Sequence, residues 1–238
     1  MANVNDLKIK VFADGADLAG ILDMYANPLI RGFTTNPTLM RQAGVADYEG
    51  FARQVLEKIK DRPVSFEVFA DDFEEMERQA LKIAGWGANV NVKIPITNTK
   101  GLSAVPLIGK LSAAGVVVNV TAMMPLGQVR AVADALSPDT PAIVSVFAGR
   151  IADTGVDPMP LMSEALRILE ARPKAELLWA SPRELLNIFQ ADAIGCHIIT
   201  VTNSVLAKLG GVGKDLDQFS LETVQMFHRD ASSAGYQV

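Results

Sequence analysis

Three residue types in this chain could together do covalent and proton-transfer chemistry: a lysine, a glutamate and an aspartate, each at the end of an apolar run. Lys93 sits in Asn91-Val92-Lys93-Ile94-Pro95, near the C-terminal end of the run 88–96. The alternation and length of that run fit a strand. An ammonium there costs free energy unless it is paired or sheds its proton. A neutral amine attacks carbonyl carbon, which makes Lys93 a candidate Schiff-base lysine. The alternative is a strand-end lysine whose head reaches water. Glu67 lies in Ser65-Phe66-Glu67-Val68-Phe69. A carboxyl group flanked by apolar side chains shuttles protons closer to neutrality. Asp14 closes the run 9–14. At one mouth the three would supply two acid/base groups and an amine nucleophile.

The elements that must position them are short. Eight apolar segments read as strands: 9–14, 32–36, 64–69, 90–96, 116–121, 142–147, 176–181 and 196–202. Most are rich in Val, Ile or Phe and end at a polar residue. Between them, 48–60, 73–83, 102–113, 126–135, 160–169 and 182–192 carry helical periodicity, with Phe51, Val55, Leu56 and Ile59 on one face of the first. Pro182 suits a first helical turn. Strand followed by helix implies parallel strands with crossover helices. The strand ends recur about every 27 residues, close to the unit of a (β/α)8 barrel. The reading is one α/β domain over residues 1–238, a single TIM barrel with an extra C-terminal helix over 217–232. A doubly wound open sheet is the runner-up.

In such a barrel, chemistry collects at the C-terminal ends of the strands. The polar residues there are Asp14, Asn36, Glu67, Lys93, Asn119 with Thr121, Ser145 and Ser181. Asn119 and Thr121 are two apart and share a face. Each has an ordinary explanation as well: Asp14 or Ser181 as a helix cap, Asn36 before Pro37 as a turn starter. Arg150 and Arg183 follow strands six and seven. With the Ser181 hydroxyl and a helix N-terminus they make a candidate anion site, and surface ion pairs are the alternative.

The rest of the composition narrows the classes. Among 238 residues, 22 basic and 27 acidic side chains give a net charge of -5 without a basic stripe, which argues against a nucleic-acid partner. One cysteine, Cys196, excludes an internal disulfide and a cysteine-based metal cluster; it reads as a small core residue. With only His197 and His228 beside it, there is no case for a zinc site. Gly211-Val212-Gly213-Lys214 lacks the first glycine of a phosphate-binding P-loop, since Lys208 stands there. No secretory signal or bilayer-length apolar run is present, so a cytoplasmic protein that does not span a membrane is expected.

Five segments carry a family resemblance that runs along essentially the whole chain. They are Phe12-Ala13-Asp14-Gly15, Thr34-Thr35-Asn36-Pro37-Thr38, Val92-Lys93-Ile94-Pro95, Asn119-Val120-Thr121 and Ser145-Val146-Phe147-Ala148-Gly149-Arg150-Ile151. The chain resembles the transaldolases, in particular the short bacterial and archaeal branch that includes fructose-6-phosphate aldolase. The resemblance implies a cofactor-free mechanism in which Lys93 forms an imine with a ketose phosphate. It implies Asp14 as the base for the C4 hydroxyl, and Glu67 with Thr121 as proton handlers through a water. Asn36, Thr34, Asn119 and Ser145 would hold hydroxyls and the intermediate, and Arg150, Ser181 and Arg183 the phosphate. The aldolases that resemble this chain carry glutamine where Glu67 stands and tyrosine where Phe147 stands, so Glu67 and Phe147 favour transaldolase. The alternatives are an aldolase releasing dihydroxyacetone and a non-catalytic sugar-phosphate binding barrel. Val146, Ala148, Pro182 and the segment 151–155 depart from the family's usual residues, all near the anion end. Short relatives form rings of five that pair into decamers, so a homo-oligomer, pentamer or decamer, is expected.

Overall fold

The computed structural model describes residues 3–237. Its strands are β1 (Lys10–Asp14), β2 (Ile30–Thr34), β3 (Val64–Glu67), β4 (Val90–Pro95), β5 (Val118–Met123), β6 (Ala142–Val146), β7 (Ala175–Trp179) and β8 (Ile198–Thr202). All pair in parallel in sequence order, and β8 closes onto β1 with Asp14 opposite Thr202. The expected eight-stranded barrel is therefore present. Its helices are α1 (Leu18–Tyr25), α2 (Pro37–Gln42), α3 (Tyr48–Lys58), α4 (Phe73–Ala84), α5 (Val105–Ala113), α6 (Leu126–Ala135), α7 (Ala148–Ala152), α8 (Pro158–Leu169), α9 (Leu186–Ala193), α10 (Asn203–Leu206) and α11 (Leu216–Ala234). Several start where an acidic or amide side chain accepts a backbone N–H of the first turn: Asp17 from Gly20, Asn36 from Leu39, Asp47 from Gly50, Asp157 from Met159.

Strand alternation divides the core in two. Val11, Val64, Val92, Val118, Val144, Leu177 and Ile199 are fully buried in the layer between sheet and helices. Inside the barrel, Phe12, Ile143, Leu178, Ala180 and Ile198 pack together with Phe147. Gly32 makes room for that filling: a Cβ there would lie 2.6 Å from Cζ of Phe12.

Several boundaries differ from the sequence reading by a few residues, and three bear on the site. β2 begins at Ile30 and ends at Thr34, two residues earlier than expected, because Asn36 turns the chain by capping α2. α9 begins at Leu186 rather than at Pro182. There the Asn187 carboxamide accepts the backbone N–H groups of Arg183, at 2.8 Å, and Glu184, at 3.1 Å, and holds the segment in a turn. The strand 142–147 ends at Val146, and Phe147 starts α7. The C-terminal helix is present and slightly longer than expected. None of its residues is buried, and Leu216, Phe219, Leu221, Val224 and Phe227 stand exposed.

Candidate active site

Register brings the lysine and glutamate together. Glu67 at the end of β3 is the direct partner of Lys93 on β4, and Lys93 is the partner of Asn119 on β5. Neighbours in register point the same way, into the barrel mouth. Lys93 is 7% exposed. Its Nζ donates to the Thr35 carbonyl at 2.7 Å and lies 3.1 Å from Oε2 of Glu67. The amine thus sits between one carboxylate and one carbonyl in a site where water has little access. Burial makes such a pair sensitive to the loss of either member.

Asp14 faces the same space from β1. Thr34 Oγ1 donates to its Oδ1 at 2.8 Å, and Asn36 Nδ2 reaches its Oδ2 at 3.4 Å. Burial pushes the Asp14 carboxyl above its usual range. The Lys93 charge and the bonds from Thr34 and Asn36 pull the other way without cancelling it. A carboxyl tuned upward by its surroundings suits acid/base work. Asn36 acts twice: its Oδ1 accepts from the Leu39 N–H to cap α2, while its Nδ2 reaches Asp14.

A buried polar chain crosses the neighbouring strands. Ser145 Oγ donates to Asn119 Oδ1 at 2.6 Å, and Asn119 Nδ2 donates to Ser65 Oγ at 3.1 Å. Two residues above Asn119, Thr121 presents a buried Oγ1 without a hydrogen-bond partner. A native protein rarely leaves such a group unpaired unless something else uses it.

These residues line one cavity of about 460 Å³. Asp14, Thr34, Asn36, Glu67, Lys93, Asn119, Thr121, Ser145, Phe147, Arg150, Ser181 and Arg183, every residue singled out from the sequence, are in its wall. Thr200, Ala122, Thr38 and Gln42 also line it and were missed. Thr200 was findable: it lies two residues before Thr202 on one strand, and its hydroxyl meets that of Thr34. A second cavity, of about 540 Å³, opens at the opposite end of the barrel. There Lys10 pairs with Glu176 at 2.7 Å and Asp61 accepts from the Tyr25 hydroxyl at 2.7 Å.

The anion end is only half uncommitted. Arg183 makes a two-point pair with Asp153, so the ion-pair alternative holds for this residue. Arg150 has no carboxylate partner among the described residues, and its guanidinium lies 5.8 Å from the centre of the Phe147 ring. Ser181 has φ 61, the left-handed region, and Gly149 lets its carbonyl pass close to α7. Among the described residues, no group of three or more His, Cys, Asp or Glu gathers to hold a metal ion. Cys196 is buried, with burial pushing its thiol up to about 12, away from the cavity wall.

A family model described as Transaldolase/Fructose-6-phosphate aldolase matches residues 11–237. A probable transaldolase of Dehalococcoides mccartyi is 36% identical over 202 residues, covering 84% of this chain and 90% of that protein. One from Hyphomonas neptunium is 35% identical over 233 residues, covering 97% and 100%. Among solved structures, a mandelate oxidase mutant aligns with TM-score 0.58 at 15% identity, covering 98% of this chain and 80% of that one. The 3-hexulose-6-phosphate synthase of Salmonella typhimurium aligns with TM-score 0.55 at 14% identity, covering 84% and 91%. At such identities the structural likeness shows the fold alone.

Proposed function

This chain belongs to the transaldolase/fructose-6-phosphate aldolase family, and on that premise we propose that it is a Schiff-base transaldolase moving a dihydroxyacetone unit between sugar phosphates. The observation that carries the proposal is the Lys93 amine, buried and held between the Glu67 carboxylate and the Thr35 carbonyl. The amine gives its proton to a neighbouring carboxylate and adds to the donor's C2 ketone. Loss of water, with Glu67 and the unpaired Thr121 hydroxyl moving protons through a water, leaves a protonated imine. Asp14 takes the C4 hydroxyl proton, the C3–C4 bond breaks, and its electron pair moves into the imine to give an enamine on Lys93. The aldehyde fragment leaves. An acceptor aldehyde then takes the enamine carbon, Asp14 returns its proton to the new C4 oxygen, and hydrolysis frees the product. Thr34 and Asn36 keep Asp14 oriented and contact donor hydroxyls, while Asn119 and Ser145 hold the intermediate. Arg150 and Ser181 take the phosphate, and Arg183 joins them by sharing its donors with Asp153.

Glu67 and Phe147 support transfer over release. A carboxylate beside the lysine and an apolar ring beside the enamine provide no phenol to protonate the enamine carbon, so the intermediate lasts until an aldehyde arrives. The mechanism requires no cofactor. We expect the enzyme in the cytoplasm; no described helix is long and apolar enough to cross a membrane. The uncovered apolar residues of α11 suit packing between copies in a pentamer or decamer.

Borohydride reduction with fructose 6-phosphate, followed by mass spectrometry, tests the lysine. A reduced adduct on Lys93 is expected, and no adduct with any ketose phosphate would point instead to a binding barrel. Erythrose 4-phosphate as acceptor then separates the two enzymes. Transfer to a seven-carbon product without free dihydroxyacetone marks transaldolase; accumulation of dihydroxyacetone marks the aldolase.

A further inference from the structure

The ladder between β2 and β3, beside the site, is short. Only Phe33 with Val64 and Thr34 with Ser65 pair across those strands. A last bond runs from the Thr35 N–H to the Ser65 carbonyl at 3.2 Å, and then β2 gives way to α2 at Asn36. β3 runs on to Glu67. In a parallel ladder, a residue's N–H and C=O point to the same side, and residues two apart face the same neighbour. Glu67 therefore presents both backbone groups, like Ser65, to a strand that has ended.

Tyr48, the first residue of α3, takes that place. The Glu67 N–H donates to Tyr48 Oη at 2.7 Å, and the Tyr48 O–H donates to the Glu67 carbonyl at 3.0 Å. One phenol thus replaces the missing rung. Its ring is fixed by Phe69 at 4.5 Å, Trp86 at 5.5 Å and Phe66 at 6.2 Å between centroids. Burial keeps the phenol protonated by pushing its pKa up, so it remains able to donate. On the other side of β3, the Val68 N–H bonds the Lys93 carbonyl at 3.1 Å. Glu67 is consequently clamped between the lysine's own strand and Tyr48.

We propose that Tyr48 is a positioning residue for proton transfer at Lys93, acting only through Glu67. It rests on the reading of Lys93 and Glu67 given above. The hydroxyl fixes the Glu67 main chain, which fixes how far its carboxylate stands from Nζ. Without it, the end of β3 is free on one edge and the carboxylate loses its aim.

The test is a double-mutant cycle on the whole enzyme, with Tyr48→Phe, Glu67→Gln and the pair, assayed with fructose 6-phosphate and erythrose 4-phosphate. Tyr48→Phe keeps the ring and its packing, and a thermal melt checks the fold of each variant. Transfer turnover in Tyr48→Phe is expected to fall roughly ten- to a hundredfold, the scale of losing the aim of a reacting group. The borohydride adduct should still form on Lys93. In the Glu67→Gln background the same change should cost less than about twofold, because a residue acting through another is silent once that other is gone. An equal loss in both backgrounds would make Tyr48 a general structural residue and overturn the proposal, as would unchanged turnover in Tyr48→Phe alone. If Lys93 forms no adduct, or Glu67→Gln leaves turnover intact, the failure lies in the lysine–glutamate reading itself.

Discussion

Gly149→Ala adds one methyl group where the main chain leaves no room for it. Gly149 lies in α7, where a Cβ would stand 1.5 Å from the Ser181 carbonyl oxygen and 2.6 Å from its carbon. The obstacle is main chain, so no rotamer change relieves it. A normal contact needs the two backbones to part by roughly 2 Å, several times the adjustment a close-packed interior absorbs without strain. Ser181 is poorly placed to yield, since it already holds φ 61, a region non-glycine residues enter at a cost. Its neighbour Arg183 is also near, with Nε 3.4 Å from the added carbon. Overpacking costs typically about 1–3 kcal/mol, and a backbone clash belongs at about 3. For a chain of this size, each kcal/mol lowers Tm by about 2–4 °C, so a drop of about 6–12 °C is expected in calorimetry. The displacement also carries Ser181 and Arg183 away from the cavity. KM for a phosphorylated donor should therefore rise at least about tenfold, matching the loss of one charge-assisted hydrogen bond. Adduct formation on Lys93 with unphosphorylated dihydroxyacetone should persist. A Tm within about 1 °C of the parent would refute the clash. An unchanged KM alongside a lowered Tm would refute the placing of the anion end at Ser181.

Three other perturbations follow from the site. Lys93→Met should abolish the borohydride adduct and, in denaturant melts, cost about 3 kcal/mol by leaving Glu67 buried without a cation. Adding Glu67→Gln should recover most of that loss, and additive losses would count against a coupled pair. Glu67→Gln with Phe147→Tyr should shift products from transfer towards free dihydroxyacetone, measured by enzymatic assay of the triose; unchanged partitioning would remove these residues as the discriminators. For Asp14, burial holds the folded carboxyl above its ordinary value of 3.8, so the folded state binds that proton more tightly than the unfolded chain does. Ionised Asp14 therefore weakens the fold above the folded-state value, and the penalty is relieved as pH falls through that value towards 3.8. Asp14→Asn should melt higher than the parent at pH 7, with the gap closing on acidification, while transfer is lost. A gap independent of pH would contradict that linkage.

What was legible in the sequence was what local pattern determines. The eight strands announce themselves because most are apolar runs with a polar residue at or near the end, and the spacing of those ends sets the barrel. Lys93 stood out because a charge in such a run is rare. What stayed hidden depends on meetings across the fold. The pairing of Arg183 with Asp153 joins two loops 30 residues apart, and neither segment hints at it. Tyr48 reads as an aromatic at a helix start, and only the early end of β2 gives its hydroxyl something to do. The start of α9 was misplaced because Pro182 suits a first turn, while the Asn187 side chain that forestalls helix formation acts from the far side. α7, with five residues, is too short to show a period.

Several departures from ordinary folding rules line the mouth cavity, while other buried donors without partners lie elsewhere, at Trp86, Arg172 and Trp179. Among the described residues, Ala122 at φ 63 and Ser181 at φ 61 are the non-glycine residues with positive φ, and both line the mouth cavity. The unpaired Thr121 hydroxyl, the raised Asp14 carboxyl and the buried Lys93 line it too. In the lower half of the barrel, Phe12, Ile143, Leu178 and Ile198 fill the interior with apolar side chains. Strain, an unsatisfied donor and a desolvated ion each weaken a fold. A chain free of demands at its mouth would fill the upper layer as it fills the lower one. Where such costs line the cavity that also holds the Lys93 amine, the polar mouth is held up by the apolar layer beneath it. Enlarging that lower layer's margin, not altering the mouth, is therefore the route by which this barrel gains stability without losing its chemistry.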